Sequence, residues 1–286
     1  MTGKNKVGPE NTAARVALWR ALHVQIDAPP HVFLDEVGLQ LVAPPDGWKN
    51  RGDMHPIGTS QFRASIVARA RFIEDLVEER AAHGVSQYVI LGAGLDTFAQ
   101  RRPELAARLH VFEVDQPGPQ AWKRQRLQEL GYEIAAWLHL VPVDFEAGQS
   151  WVQLIAADGF DESKPAVVAS TGVSMYLTKE TVAATLREIA SLAAGTTLAM
   201  SFMLPFDMAA PELRPGLEQA ANGARTAGTP FISFFTPTEM LDLARASGFK
   251  TVEHVSAASL TERYFAGRPD GLTLPNNTEE ILVAST

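Results

Sequence analysis

The 286-residue chain contains no cysteine, so disulfide bonds, thiolate metal sites and cysteine nucleophiles are all excluded. Positive charge is also scarce: 25 Lys and Arg against 33 Asp and Glu leave a net charge of −8, which argues against a nucleic-acid or anionic-membrane partner. The sequence has no apolar run long enough to cross a bilayer, and no apolar stretch follows its first residues as in a secretory signal. We therefore expect a cytoplasmic globular protein.

Two further absences restrict the kinds of active site that the sequence supports. None of the seven histidines forms a His-x3-His or His-x-His pair, so the sequence does not predict a metal site. The Gly-x-Ser-x-Gly pattern of an α/β-hydrolase nucleophile elbow is missing as well.

The most informative stretch that is present runs from Tyr88 to Asp96, with the sequence YVILGAGLD. Its short apolar run ending in Gly-x-Gly is typical of a buried parallel strand that turns sharply into a helix. A second apolar run, at 111–115 (VFEVD), follows about 20 residues later and brings carboxylates to the same edge of the sheet. A glycine turn beside an acid on the next strand predicts a nucleoside-binding crevice at the carboxyl ends of parallel strands.

The residues after the glycine turn bear on which nucleoside it binds. A dinucleotide fingerprint needs a third glycine three positions after Gly94, but Thr97 stands there and Asp96 precedes it. A carboxylate at the mouth of a phosphate cradle would repel the phosphate, whereas S-adenosyl-L-methionine carries a sulfonium cation and no phosphate. The pattern favours that cofactor. The alternatives are an NAD(P)-dependent oxidoreductase, a cofactor-binding protein without turnover, and a tight turn that binds no ligand.

Apolar runs and helical periodicity alternate from about residue 60 onward, which predicts one α/β domain over residues 1–286. A long helix is expected up to His83–Gly84, and further helices are expected at 179–193, after Thr178 as N-cap, and from Thr236 to Gly248. About seven strands are expected, at 88–91, 110–114, 138–143, 166–170, 196–202, 251–256 and 280–283.

Two proline-rich segments interrupt this alternation, at residues 1–59 and 204–235. Insertions of this length at the carboxyl end of a sheet are usually functional. We interpret the first as a lid with one helical piece at 14–24, more an extended cover than a packed layer, and the second as a lid and substrate-pocket wall. Phe231, Phe234 and Phe235 in the second segment suit either the pocket or the core.

Several motifs together resemble the leucine carboxyl methyltransferase-like family, in its bacterial branch of S-adenosyl-L-methionine-dependent methyltransferases. They are RARF at 69–72, VILGAGLDT at 89–97, FEVDQP at 112–117 with Lys123, VDF at 143–145 and GVSMYL at 172–177. The resemblance covers roughly residues 12–284. It implies a class I (Rossmann-like) fold with a seven-stranded, mostly parallel, doubly wound sheet and an N-terminal helical lid. It also implies O-methylation of a carboxylate or hydroxyl, and we expect the acceptor to be a small metabolite.

Gly92, Ala93 and Gly94 are predicted to let the cofactor approach the backbone closely. Asp115 is predicted to accept the ribose hydroxyls, with Gln116 beside it, because one carboxylate can take two donors. Glu113 points to the same side of its strand but suits equally well a buried acid paired with an arginine.

The resemblance assigns further positions. It places Asp144 on the adenine amino group with Phe145 beside the ring; the alternative for Asp144 is a helix N-cap before Trp151. It places Arg69 on the cofactor carboxylate, which a guanidinium binds in a bidentate manner, with Arg63 and Arg71 as alternatives.

One position departs from the family pattern. Many members carry Glu at the position of Thr171, where the side chain faces the cofactor, and a hydroxyl cannot supply that negative charge. The catalytic residues are unknown from sequence. The candidates are His31 and His55 in the N-terminal segment and Tyr176: a histidine could deprotonate an alcohol or phenol acceptor, and Tyr176 suits either substrate orientation or the core. A carboxylate acceptor would need no base.

Overall fold

The computed structural model describes residues 11–145 and 147–286. Its centre is one seven-stranded sheet with the strand order β3-β2-β1-β4-β5-β7-β6. The strands are β1 (Gln87–Leu91), β2 (His110–Asp115), β3 (Leu138–Pro142), β4 (Val167–Ser170), β5 (Thr197–Met203), β6 (Thr251–Val255) and β7 (Glu279–Ser285). The first five strands are parallel, and β7 runs antiparallel between β5 and β6. The predicted doubly wound, mostly parallel sheet is confirmed.

Helices cover both faces of this sheet. They are α1 (Asn11–Ile26), α2 (Val37–Val42), α3 (Ser60–Ala82), α4 (Phe98–Arg101), α5 (Pro103–Ala106), α6 (Pro117–Glu129), α7 (Trp151–Ala157), α8 (Lys179–Ala190), α9 (Arg214–Thr226), α10 (Pro237–Ser247) and α11 (Ala257–Phe265). Over the described ranges, no helix combines the length and apolar character that crossing a membrane would require.

The side chains of β1 show why both faces must be covered. Tyr88 and Ile90 belong to one apolar core, which α3 and α11 complete, while Val89 and Leu91 belong to the other, with α8 and α10. Successive side chains of a strand point to opposite faces, so a strand buried on both faces is apolar at nearly every position and does not alternate with polar residues. The strand order reverses between β1 and β4, and ligands of such sheets bind at the carboxyl ends there.

The helix-start signals of the sequence are confirmed by hydrogen bonds. The Thr178 hydroxyl accepts from the backbone N–H of Thr181 and caps α8. Thr236 and Glu239 form a reciprocal capping box at the start of α10. Gly248 ends that helix at a φ of 112°, in the left-handed region that favours glycine.

The described part of the N-terminal segment is a packed helical layer, so the expectation of an extended cover is wrong. Helix α1 packs on α2 and α3, and its Leu18 and Leu22 form a buried cluster with Met54. Arg20 of α1 pairs with the fully buried Asp35 and donates to the Leu95 carbonyl, just past the glycine turn. The buried face of α1 includes four apolar residues, Ala17, Leu18, Ala21 and Leu22, which suffice to form a layer, and the prolines at 29, 30, 44, 45 and 56 lie in the loops after it.

The second inserted segment, 204–235, contains the helix α9, which the sequence did not predict. Phe235 is buried in the core between the sheet and α10, whereas Phe231 and Phe234 are half-buried. The ring of Phe231 packs against Tyr176 at 5.5 Å, and that of Phe234 against Phe206 at 5.1 Å. This segment therefore supplies one core aromatic and two that flank the carboxyl edge of the sheet.

Candidate functional site

The glycine turn after β1 is held against the end of β2. The backbone N–H groups of Gly92 and Ala93 both donate to the Val114 carbonyl, at 2.9 and 3.0 Å. Gly92 has a φ of +73°, and a Cβ at this position would overlap a methyl group of Val173. The turn therefore requires glycine at residue 92 for both its conformation and its surroundings.

Asp115 ends β2 and ties the second glycine of the turn to that strand. Its Oδ2 accepts a hydrogen bond from the backbone N–H of Gly94, and its Oδ1 accepts from that of Gln116 at 2.7 Å. Gln116 is exposed and directly precedes α6. The structure thus brings together the glycine turn and the carboxylate that the sequence predicted to share one site.

Glu113 is fully buried, two residues before Asp115 on β2. Its carboxylate pairs with Lys123 of α6, and neither side chain has exposed surface. Burial raises the pKa of Glu113 to about 7, and the nearby Lys123 charge lowers it only in part. Of the two interpretations, the buried ion pair is confirmed, but with a lysine; the arginine partner was wrong. Lys123 belonged to the family motif, and its position ten residues after Glu113 was the only sequence signal for this pair.

Asp144 and Phe145 follow β3 and lie two strands from β1 on the same edge. The Asp144 Oδ1 accepts from the backbone N–H of Ala147 at 3.0 Å. Ser150 caps α7 instead, so the N-cap alternative for Asp144 is wrong. Phe145 is 45% exposed, which leaves its ring accessible to a flat ligand. The adenine-binding role of these two residues stays a prediction.

Arg69 of α3 lies at the end of β4. Its Nη1 donates to both carboxylate oxygens of Glu279, at 2.5 and 2.7 Å, and its Nη2 is 2.9 Å from the point that a Cβ of Gly172 would occupy. The two alternative arginines have other partners: Arg63 is buried with Asp27, and Arg71 pairs with Asp75 within α3. Arg69 is the predicted arginine that the fold places beside the strand ends.

Thr171 follows β4 directly and is half-buried. Tyr176, five residues on, is half-buried beside Phe231. Burial raises the pKa of the Tyr176 hydroxyl, and the Glu279 carboxylate raises it further, while Arg69 and Arg15 oppose this shift. Charges from α1, α3 and β7 thus converge on this phenol, which stays protonated at neutral pH.

The two candidate histidines make their contacts elsewhere. His31 bonds the Asp27 carbonyl at 3.2 Å and packs edge-on against His23. His55 is exposed and accepts from the Gly58 N–H at 3.0 Å. Neither set of contacts involves the residues at the strand ends. Residues 11–145 and 147–286 also hold no cluster of three or more His, Asp or Glu side chains suited to a metal ion.

The carboxyl edge of the sheet combines the groups that a nucleoside with an amino-acid tail needs. Gly92 and Gly94 themselves carry no side chain in the turn, Asp115 offers carboxylate oxygens, Phe145 offers an exposed ring, and Arg69 offers a cation for a carboxylate. This donor set fits S-adenosyl-L-methionine. Thr97 is buried and bonded to Arg101 where a dinucleotide site would need glycine, so the set does not fit NAD.

Comparisons with known proteins agree with this donor set. The sequence profile of the leucine carboxyl methyltransferase family matches residues 13–190. YktD of Bacillus subtilis, provisionally named an S-adenosyl-L-methionine-dependent methyltransferase, is 34% identical over 214 residues, or 74% of this chain and 70% of that protein. Several mycobacterial relatives with the same provisional name match over shorter stretches, and the alignments span 39% to 48% of those proteins.

Solved structures share the fold at low sequence identity. A DUF574 family protein from Streptomyces avermitilis superposes with a TM-score of 0.61 at 16% identity, over 97% of this chain and 98% of that one. A protein of Thermobifida fusca, provisionally described as a methyltransferase, gives 0.57 at 18% identity, over 98% and 96%. The chain therefore has the Rossmann-like fold of class I methyltransferases.

Proposed function

Because the chain belongs to the leucine carboxyl methyltransferase family, we propose that it transfers a methyl group to an oxygen atom, a carboxylate or hydroxyl, of a small metabolite. The protein is an S-adenosyl-L-methionine-dependent methyltransferase, and this family assignment sets it apart from the nicotinamide oxidoreductases that share the crevice. The oxygen acceptor and its small size are the parts we propose.

The protonation states at the site support an oxygen that is already charged. Tyr176 keeps its proton at neutral pH, because the ordinary pKa of a tyrosine is already near 10 and burial raises it further despite the opposing Arg69 charge; the phenol can therefore donate a hydrogen bond but does not serve as a base. His31 and His55 have contacts away from the strand ends. A carboxylate acceptor is ionised at neutral pH and needs no base, so this observation favours a carboxylate over a hydroxyl.

We assign the cofactor to the carboxyl edge of β1 to β4. Gly92, Ala93 and Gly94 would line its amino-acid part, Asp115 and Gln116 its ribose, and Asp144 and Phe145 its adenine. At the end of β4, Arg69 and Thr171 would face its methionine end. When bound, the cofactor supplies both the methyl group and a neutral leaving group.

The chain itself would contribute position and exclusion of water. Helix α1 lies over the glycine turn, where the Ala13 Cβ is 3.3 Å from the point that a Cβ of Gly94 would occupy. Phe231 and Tyr176 pack together beside the same edge. Apolar and aromatic walls of this kind suit a small organic acceptor better than a polypeptide end.

Mass spectrometry with a deuteromethyl-labelled cofactor tests this proposal. Protein and labelled cofactor are incubated with a metabolite extract, and labelled products are then treated with mild base. We expect a labelled methyl ester, which base hydrolyses with release of the label; a methyl ether would survive and would indicate a hydroxyl acceptor. Label on nitrogen, carbon or sulfur alone would contradict oxygen transfer, and the Asp115→Ala variant serves as the low-affinity control.

A further inference from the structure

One ion pair at the proposed site joins residues 210 positions apart. Nη1 of Arg69, on α3, donates to both oxygens of Glu279, the first residue of β7, and the two side chains are only 11% and 12% exposed. Water therefore competes little with this pair, and its charges act strongly on whatever binds beside them.

The fold places this pair at the same edge as the predicted cofactor site. Because β7 is antiparallel to β5, its first residue lies opposite Met203, at the carboxyl end of the parallel strands. The other terminal nitrogen of Arg69 faces Gly172, directly after Thr171. Arg69 and Glu279 shift the pKa of the nearby Tyr176 hydroxyl in opposite directions, Arg69 downward and Glu279 upward, so both charges of the pair act at the end of β4.

A cation and a carboxylate held side by side complement a zwitterion. The amino-acid end of the cofactor carries a carboxylate, which suits Arg69, and an ammonium group, which needs an acceptor. Thr171, which directly follows β4, bears no charge. Glu279, at the start of β7 on the far side of β5, supplies a carboxylate at this edge of the sheet instead. Asp115 and Glu113 serve the β2 side, where they bond Gly94 and Lys123.

We propose that Glu279 is a cofactor-binding residue: it accepts a hydrogen bond from the ammonium group of S-adenosyl-L-methionine while it holds Arg69 in position for the carboxylate. This inference rests on the cofactor site proposed above. It makes β7, which lies beyond the matched residues 13–190, a contributor to cofactor recognition.

Calorimetric titration with three ligands separates ammonium binding from a purely structural pair. S-adenosylhomocysteine has both the ammonium and the carboxylate, its 2-oxo acid analogue lacks only the ammonium, and 5′-methylthioadenosine lacks both. The proteins are the wild type, Glu279→Gln, whose amide can still accept from Arg69, and Glu253→Gln, which removes the same charge from an exposed position on β6.

For Glu279→Gln we expect the affinity for S-adenosylhomocysteine to fall about tenfold or more, because a hydrogen bond to a charged group is lost. Its affinity for the 2-oxo acid should be unchanged or higher, because a repelling carboxylate has gone. Unchanged binding of 5′-methylthioadenosine shows that the variant is folded with an intact nucleoside site. Glu253→Gln should bind all three ligands like the wild type.

Two results would overturn the inference alone: wild-type affinity of Glu279→Gln for S-adenosylhomocysteine, or equal losses for S-adenosylhomocysteine and the 2-oxo acid. Equal losses would mean that Glu279 acts only by positioning Arg69. If the wild-type protein binds none of the three ligands, the proposed cofactor site itself fails and the inference fails with it.

Discussion

Glu113 and Lys123 form an ion pair in which neither side chain has any exposed surface, directly beneath the end of β2. Removing one partner of a buried pair leaves an uncompensated charge, whereas replacing both with apolar residues is often tolerated. We expect Lys123→Met to lower the free energy of unfolding by about 3–5 kcal/mol at pH 8. The double variant Glu113→Leu/Lys123→Met should recover most of that loss in urea unfolding. Single and double variants that lose equal stability would contradict this account.

The same pair predicts a pH dependence. Burial raises the pKa of Glu113 to about 7, from 4.5 in a solvated chain, so the native state binds this proton more tightly than the unfolded state. This contribution to stability is complete below about pH 4.5, falls as pH rises towards 7, and is lost above it, on the order of 3 kcal/mol in all. The free energy of urea unfolding is measured against pH for the wild type and for Glu113→Gln, and the difference between the two curves isolates the contribution of Glu113. Parallel profiles between pH 4.5 and 7 would refute the assignment.

Gly92 and Gly131 form a matched pair for testing the glycine turn. Both have φ near +80°, but a Cβ at Gly92 would overlap Val173, whereas one at Gly131 would have no atom within 4 Å. Each Gly→Ala change should cost about 1–2 kcal/mol for the left-handed conformation. Gly92→Ala should cost about 1–3 kcal/mol more from overpacking, and adding Val173→Ala should recover that excess. Equal melting temperatures for the two single variants would contradict the packing argument.

Much of the fold could be predicted from sequence because the central strands are short and mostly apolar runs. The predicted strand at 88–91 is one residue shorter than β1, and the predicted strand at 110–114 is one residue shorter than β2. Capped helices were equally recognisable, since Thr236 and Glu239 carry both halves of a capping box. Helix α9 was missed because Pro215 and two glycines lie within it.

The site was predictable only in part. The sequence identified Gly92, Gly94 and Asp115, because the spacing between the glycine turn and the acid follows directly from the geometry of neighbouring parallel strands. Glu279 gave no signal: it stands 210 residues from Arg69, and only the antiparallel insertion of β7 beside β5 brings them together. Contacts that depend on strand order cannot be predicted from the local periodicity of the sequence.

Hydrogen exchange with and without S-adenosylhomocysteine tests whether α1 and residues 231–235 cover the bound cofactor. We expect protection to rise in the first turns of α1, beside Gly94, and near Phe231, because the ligand would pack against both. Exchange in β6, at the far edge of the sheet, serves as the internal control and should change little. Unchanged protection in α1 on binding would mean that this helix packs against the domain but does not cover the ligand.

A calorimetric titration with S-adenosylhomocysteine tests directly whether the cofactor binds where Asp115 ends β2. The wild type should bind this ligand and not NAD, and Asp115→Ala should bind it about tenfold or more weakly, because hydrogen bonds to ribose are lost. Asp115→Asn should lose less, and Asp242→Ala, an exposed charge on α10, should lose nothing. Binding of NAD alone, or full affinity in Asp115→Ala, would contradict the account.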